Sequence, residues 1–327
     1  MVAGLFTLYG PIDFVRSTLV TTAMKTKDHK YIARTVYSEE YIKKILSENY
    51  MEEINENTDA SAIKLQEIKE TTQYSSKYDE EVLKKDPDND LYKIVHLSGA
   101  TWVGYMVVIY DPAKIDLVFT RYLGEQGEFL ESMSKFHKSK ISINAGGFAD
   151  AGGTGSGGIP TGTVISDGKV FYQGVDTGWG GGLIGFNKDH VLVLTKDDPQ
   201  TAIENGMVDA VDFGPFLIVN GKRAFAKGNG GTGLSSRTII AQRKDGIVLF
   251  FIIDGRQPGY SLGINLVEMT DLLVKYKAYN AANLDGGASS SLVVNGELYS
   301  KPCAVSATGE RWIPNAWMVF DKKRKVE

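Results

Sequence analysis

The chain holds a single cysteine in 327 residues, Cys303, and only four histidines, His29, His96, His137 and His190. One thiol closes no internal disulfide, and scattered histidines without further cysteines give no zinc-ligand cluster. Between Pro302 and Ala304, Cys303 reads as a small buried residue. An excess of one charge sign is lacking too. The net charge is -4 at pH 7, so nothing electrostatic favours nucleic acid as a partner. There is no long hydrophobic run. The opening "MVAGLFTLYG" is apolar, but Pro11 and Asp13 stop it far short of the roughly 20 residues a membrane-spanning helix needs. It also lacks the basic front end and small-residue cleavage site of a signal peptide. It reads either as the tail of a longer anchor or as a short amphipathic helix.

What the chain has in quantity is glycine: 36 residues, clustered, which implies tight turns and close backbone approaches rather than helical bundles. Composition falls into three parts. Residues 1–47 form a membrane-proximal segment in which "SEEYIKKILS" predicts a helix capped by Ser38. Residues 48–90 are polar, charged and poor in aromatics, and read as a linker with a short helix admitted at "ASAIKLQEIKE". Residues 91–327 hold the strands: "YKIVHLSG", "WVGYMVVIY", "KIDLVFT" and "KISINAGG" are short β-rich runs between turns. Asp167-Gly168, Asn220-Gly221, Asp245-Gly246 and Asn295-Gly296 are hairpin signals between apolar runs.

The fold class expected is α+β: a mixed, largely antiparallel sheet core with packed helices and a βαβ unit near the C-terminus. That unit is the clearest stretch of the pattern. The run "IVLFFIIDG" is a fully buried strand, "NLVEMTDLLVKYK" a helix with Leu266, Met269, Leu273 and Tyr276 on one face, and "AANLDGG" the next strand. If the two strands run parallel, Asp254 and Asp285 emerge at one sheet edge, where ligand clefts form.

Other motifs fall away on context. Gly153–Gly158 and Gly228–Gly233 match G-x-G-x-x-G without the flanking strand and helix that a dinucleotide site needs. "SMSK" lacks the companion motifs of a serine acyl-transfer enzyme. Ser289, Ser290 and Ser291 have no evident histidine base.

Six short motifs remain at glycine-rich strand ends: "INAGGF", "DFGPFLIVNG", "SSRT", "DGRQPG", "NLVEM" and "NLDGGASS". In this order, over roughly Tyr92 to Phe320, they resemble the phosphodiester glycosidase family, the domain of the mammalian uncovering enzyme. Ala288 stands where that family usually has a third glycine. The resemblance implies a glycosidase acting on a sugar-1-phosphodiester of the N-acetylhexosamine-phosphate type. Its setting would be a bacterial cell-surface polysaccharide, outside the cytoplasm, with a membrane anchor before the spacer. Asp285, Asp254 and Glu268 are the candidate catalytic carboxyls. Arg237, Arg256, Asn144, Gly147, Gly286, Gly287, Ser289 and Asn315 are the candidate substrate-binding positions.

The chemistry agrees with that assignment. Cleaving a sugar–phosphate acetal needs a carboxylate near the anomeric carbon, and a guanidinium to steady the departing phosphate. Each position also has a plainer reading. Asp285 and Asp254 fit turns before glycine, and Asn265-x-x-Glu268 fits a helix capping box. Arg237 fits a surface ion pair, Asn144 and Asn315 turn amides, and Ser289 a hairpin hydroxyl. Trp179, in "TGWGGG", is either a sugar platform or a loop plug. No cofactor is expected. A divalent cation held through oxygens of Asp254, Asp285 and Asn144 stays open, since no metal-loop spacing supports it. The alternatives are a non-catalytic envelope glycan-binding protein and an envelope transferase using the same cleft.

Overall fold

The computed structural model describes residues 13–25, 30–66, 71, 73–149, 155–174 and 181–322. The chain begins with helices α1 (Asp13–Lys25), α2 (Lys30–Val36) and α3 (Glu39–Glu48), which share a small core of Val20, Ala23, Ala33, Ile42 and Ile45. Ser38 caps α3, accepting from the Tyr41 N–H at 3.2 Å. Strand β1 (Tyr50–Met51) and helix α4 (Lys77–Leu83) follow, and among the described residues of "ASAIKLQEIKE" only a 3₁₀ turn at Ala60–Ala62 is helical. Residues 48–90 touch the rest of the chain at several points: Ile63 and Val82 are buried, and Asp79 pairs with Arg243 at 3.2 Å.

Next come β2 (Tyr92–Ser98), β3 (Val103–Ile109), β4 (Ile115–Phe119), helix α5 (Leu130–His137) and β5 (Ile141–Asn144). A run of strands follows: β6 (Thr163–Ser166), β7 (Lys169–Gln173), β8 (Leu183–Asn187) and β9 (Leu192–Thr195). Helix α6 (Pro199–Glu204) leads to β10 (Met207–Asp212), β11 (Phe216–Val219), β12 (Lys222–Arg223) and β13 (Ala226–Lys227). The last elements are β14 (Arg237–Arg243), β15 (Val248–Ile253), helix α7 (Leu266–Lys275), β16 (Ala278–Asn283), β17 (Leu292–Val294), β18 (Glu297–Leu298) and β19 (Asn315–Val319).

Three sheets form the body, with orders β12-β11-β16-β14-β15-β3-β2, β18-β17-β5-β19-β4 and β7-β6-β10-β8-β9; β1 pairs with β13 apart from them. The main core lies where one face of the seven-stranded sheet (Ile240, Phe250, Ile252, Ala282) meets inner faces of both five-stranded sheets (Leu117, Ile143, Trp317, Val164, Ile184). The opposite face of the large sheet (Ile239, Ala241, Leu249, Phe251) is covered by Leu266, Met269, Leu273 and Tyr276 of α7. Coverage on both faces explains why β15 reads as an unbroken apolar run. This is an α+β architecture.

The βαβ unit is present with one difference from the simplest expectation. Strands β15 and β16 are each antiparallel to β14, which lies between them, so they run parallel to one another without sharing hydrogen bonds. The hairpin signals mostly set the expected turns. At 167–168, 220–221 and 295–296 both residues have positive φ. At Asp245-Gly246 only the glycine does, because this loop is longer: the Gly246 N–H donates to the Arg243 carbonyl at 3.0 Å, and the glycine alone turns into the left-handed region before β15.

Candidate active site

Three strand ends meet at one edge of the large sheet. Arg237, which opens β14, lies opposite Ile253, and Ile239 lies opposite Asn283. The segments that leave β15 at Asp254 and β16 at Asp285 therefore emerge on either side of Ser235–Ser236. Gly287 and Ser236 bond twice, N–H to carbonyl at 3.0 Å and Ser236 Oγ to the Gly287 carbonyl at 2.6 Å.

A fourth strand end arrives from another sheet. Asn144 closes β5, and its Nδ2 donates to the Asp285 carbonyl at 2.7 Å. Its Oδ1 accepts from Thr238 Oγ1 at 2.7 Å and from the Ser291 N–H at 3.2 Å. The Asp285 N–H donates to the Ala145 carbonyl at 3.0 Å. Asn144 is thus a buried amide that pins the Asp285 backbone rather than a group facing ligand. Asn315 does similar work from β19. It is fully buried, its Oδ1 accepts from the Gly146 N–H at 2.8 Å, and its Nδ2 has no hydrogen-bond partner among the described residues. Gly147 has no room for a side chain, since a Cβ there would meet the Phe213 ring at 2.7 Å and Thr161 Oγ1 at 2.9 Å.

Asp285 itself is half-buried. Burial pushes its carboxyl up to about 6, against the opposing pull of the Ser289 hydroxyl, Arg311, the Gly286 N–H and Arg256. Gly286, Gly287 and Ser289 thus line the turn that presents this carboxyl, Ser289 bonding it directly. Arg256 is exposed, and its Nε donates to Ser235 Oγ at 3.2 Å. Its guanidinium lies against the bare Cα of Gly287. Arg311 stacks on the Phe148 ring, with Cζ 4.6 Å from the centroid. One carboxyl therefore sits in the field of two guanidinium groups delivered by different loops.

The other candidates occupy different surroundings. Asp254 is 1% exposed, and both its oxygens are engaged, Oδ2 by the Tyr260 hydroxyl at 2.8 Å and Oδ1 by the Lys301 N–H at 3.1 Å. Burial raises its carboxyl to about 6. Arg237 is buried, and its guanidinium donates to the carbonyls of Ile264, Gly233 and Thr232 at 3.2–3.4 Å. Burial, then repulsion from Arg256, lowers it to about 9. It braces the loop before β14. Glu268 sits in the first turn of α7. Its N–H donates to the capping Asn265 Oδ1 at 2.9 Å, while its own Oε1 accepts from Trp102 Nε1 at 2.7 Å. It lines a separate cleft of about 250 Å³ with Phe14, Asn49, Asn229 and Asp271. Cys303 is half-buried, its Sγ 3.7 Å from Ser236 Oγ. Trp179 and the apolar start at 1–12 lie outside the described residues.

Arg311 and Tyr260 are missing from the sequence-based candidates. Arg311 stands four residues before Asn315, but no local pattern directs its side chain toward Asp285. Among the described residues no group of three or more His, Cys, Asp or Glu side chains is placed to hold a metal ion. No helix among them is long and apolar enough to cross a membrane.

A carboxyl raised by burial and lying in the field of two guanidinium groups, at convergent strand ends of an α+β domain, suits an anionic substrate. The chain belongs to the phosphodiester glycosidase family, whose sequence model matches residues 137–320. It is similar to N-acetylglucosamine-1-phosphodiester alpha-N-acetylglucosaminidase of Bos taurus, 32% identical over 118 residues, which are 34% of this chain and 22% of that protein. It is also similar to the SPbeta prophage-derived uncharacterized protein YomE of Bacillus subtilis (strain 168), 31% identical over 58% of this chain and 29% of that one. The chain thus spans less than a third of these relatives. The solved catalytic domain of zebrafish N-acetylglucosamine-1-phosphodiester alpha-N-acetylglucosaminidase, auto-inhibited by pro-peptide, shares the fold. Its TM-score is 0.59 at 24% identity, over 73% of this chain and 86% of that one.

Proposed function

We propose that the protein is a glycosidase that hydrolyses a sugar-1-phosphodiester, of the N-acetylhexosamine-phosphate type, in an extracytoplasmic glycan or cell-surface polysaccharide. Residues 91–327 form the catalytic domain in this reading, preceded by the N-terminal segment 1–47 and the polar segment 48–90. The observation that carries it is the meeting of strand ends at Asp285, with the Arg256 guanidinium seated against Gly287 two residues on and the charge of Arg311 acting on the same carboxyl. The family membership and the names of the animal relatives support the substrate class.

The chemistry runs as follows. The bond between the anomeric carbon and the bridging phosphate oxygen breaks, and its electron pair stays on the phosphate. Arg256 and Arg311 hold that charge, so the leaving group needs little proton donation. Asp285, as a carboxylate, faces the positive charge that grows on the sugar ring. Water completes the anomeric centre, giving a free reducing sugar and a phosphomonoester. The test is release of N-acetylglucosamine from its α-1-phosphate esterified to methyl mannoside. Asp285→Asn is expected to lower kcat on the order of 10³-fold. Binding of the ester by the wild type without turnover would favour a glycan-binding protein instead, and transfer of the sugar to added glycerol a transferase.

A further inference from the structure

The loop 254–263 that carries Arg256 is held at both ends and strained in the middle. At its start the Asp254 N–H donates to the Val103 carbonyl at 3.0 Å, and Ser261 Oγ returns to the Asp254 carbonyl at 2.5 Å. Near its far end the Leu262 N–H donates to the Thr101 carbonyl at 2.7 Å. In between, Arg256 has φ of +59°, a left-handed conformation that costs a non-glycine residue about 1–2 kcal/mol. Something must hold it there. The Arg256 N–H donates to the Leu262 carbonyl at 3.2 Å, and the Gln257 N–H to the Ser261 carbonyl at 2.8 Å.

The side chains add a second fastening. Tyr260 folds back over the loop, and its hydroxyl donates to Asp254 Oδ2 at 2.8 Å. The other Asp254 oxygen accepts the Lys301 N–H at 3.1 Å, while Gln257 Nε2 donates to the Lys301 carbonyl at 2.7 Å. The Lys301 ammonium lies 4.6 Å from the centroid of the Tyr260 ring. A buried carboxylate thus ties the tip of the loop to its base and to the neighbouring segment at Lys301.

We propose that Asp254 and Tyr260 are a positioning pair: their hydrogen bond holds the strained loop closed, so that Arg256 stays seated on Gly287 beside Asp285. Neither residue touches the reacting atoms. This inference rests on the reading of Arg256 as a phosphate anchor.

Steady-state kinetics on the same N-acetylglucosamine phosphodiester test it, together with tryptic cleavage after Arg256 followed by mass spectrometry. Tyr260→Phe is expected to lower kcat/KM about tenfold, chiefly through KM, as a displaced anchor does. Arg256→Gln is expected to lower it about a hundredfold, and the double variant no further than that. Tyr260→Phe and Asp254→Asn are also expected to speed cleavage at Arg256 severalfold without moving the thermal midpoint of Tyr260→Phe. Additive losses in the double variant, or unchanged cleavage, would overturn the pairing. A wild type inert toward the ester would instead count against the glycosidase reading, and the cleavage rates would still decide the clamp.

Discussion

The guanidinium of Arg256 rests on the backbone of Gly287: a Cβ built there would lie 2.7 Å from Nη2 and 2.9 Å from Cζ and Nη1. Gly287 also has φ of +62°, so the position excludes a side chain on two independent grounds. Gly287→Ala is expected to push Arg256 off its seat and cost about 1–2 kcal/mol of stability through the left-handed backbone. Turnover of the sugar phosphodiester should fall about a hundredfold, the scale of a misplacement near 1 Å. Denaturant midpoints and kcat/KM measured side by side check both effects.

Asp285 carries a carboxyl that opposes stability when charged and, in the proposed reaction, ties turnover to pH. Its ordinary value is 3.8 and burial raises it to about 6 in the folded protein. A raised carboxyl means the folded state binds the proton more tightly than the unfolded state. The cost of holding the charge is absent below pH 4 and complete above about pH 6. Asp285→Asn is therefore expected to stabilise the protein at pH 7.5 by about 1–2 kcal/mol, after allowing for solvent screening at a partly buried site, and to do nothing at pH 4. In the proposed reaction the carboxylate is the working form, so wild-type kcat/KM should fall as pH drops through about 6. Thermal midpoints at the two pH values, with a pH–rate profile, decide this.

A second carboxylate behaves in the opposite sense. Asp79 in α4 is buried, which alone would raise it, but Lys277, Ser75 and Arg243 outweigh burial and bring it down to about 2. Its contribution to stability is complete above pH 4 and is lost as pH falls through about 2. The shift corresponds to about 2 kcal/mol. Asp79→Ala, which leaves the buried Arg243 with Asp245 and the Tyr276 carbonyl as its partners, should cost about 2 kcal/mol at pH 7. Urea unfolding at pH 7 and at pH 2 would show the gap between variant and wild type closing on acidification.

Asn144 separates architecture from chemistry. Asn144→Ala removes three hydrogen bonds and leaves the Asp285 carbonyl, the Thr238 hydroxyl and the Ser291 N–H without their partner. The expected cost is about 2–4 kcal/mol, with loss of turnover because the Asp285 backbone loses its pin. Asp285→Asn and Asn144→Ala should therefore move the thermal midpoint in opposite directions while both lower kcat.

What was legible in the chain is what repeats locally. Asn-Gly and Asp-Gly pairs mark four hairpins, three of them with both turn residues at positive φ, and the apolar run of β15 announces a strand covered on both faces. The 3.6-residue spacing of Leu266, Met269, Leu273 and Tyr276 placed the buried face of α7. The position of Asp285, just past a strand end and beside glycines, was legible as well. Where side chains turn beyond a strand end was not. Glu268 satisfies half of its capping pattern, but its carboxylate goes to Trp102, 166 positions away. Arg237 spends its donors on the carbonyls of its own loop, and Asp254 is covered by a tyrosine six residues on. Arg311 reaches the site through tertiary packing on Phe148, which no spacing rule encodes.

The strand order has a practical consequence for making the protein. Residues 137–320, the span matched by the family, begin at the last residue of α5 and leave out β2, β3 and β4. Strand β3 pairs with β15 along six consecutive positions, from Gly104–Ile253 to Ile109–Val248. A recombinant fragment trimmed to that span would present "VLFFII" as a bare sheet border, a template on which other molecules assemble. Inclusion bodies are the expected harvest from such a clone, and expression boundaries belong upstream of Tyr92.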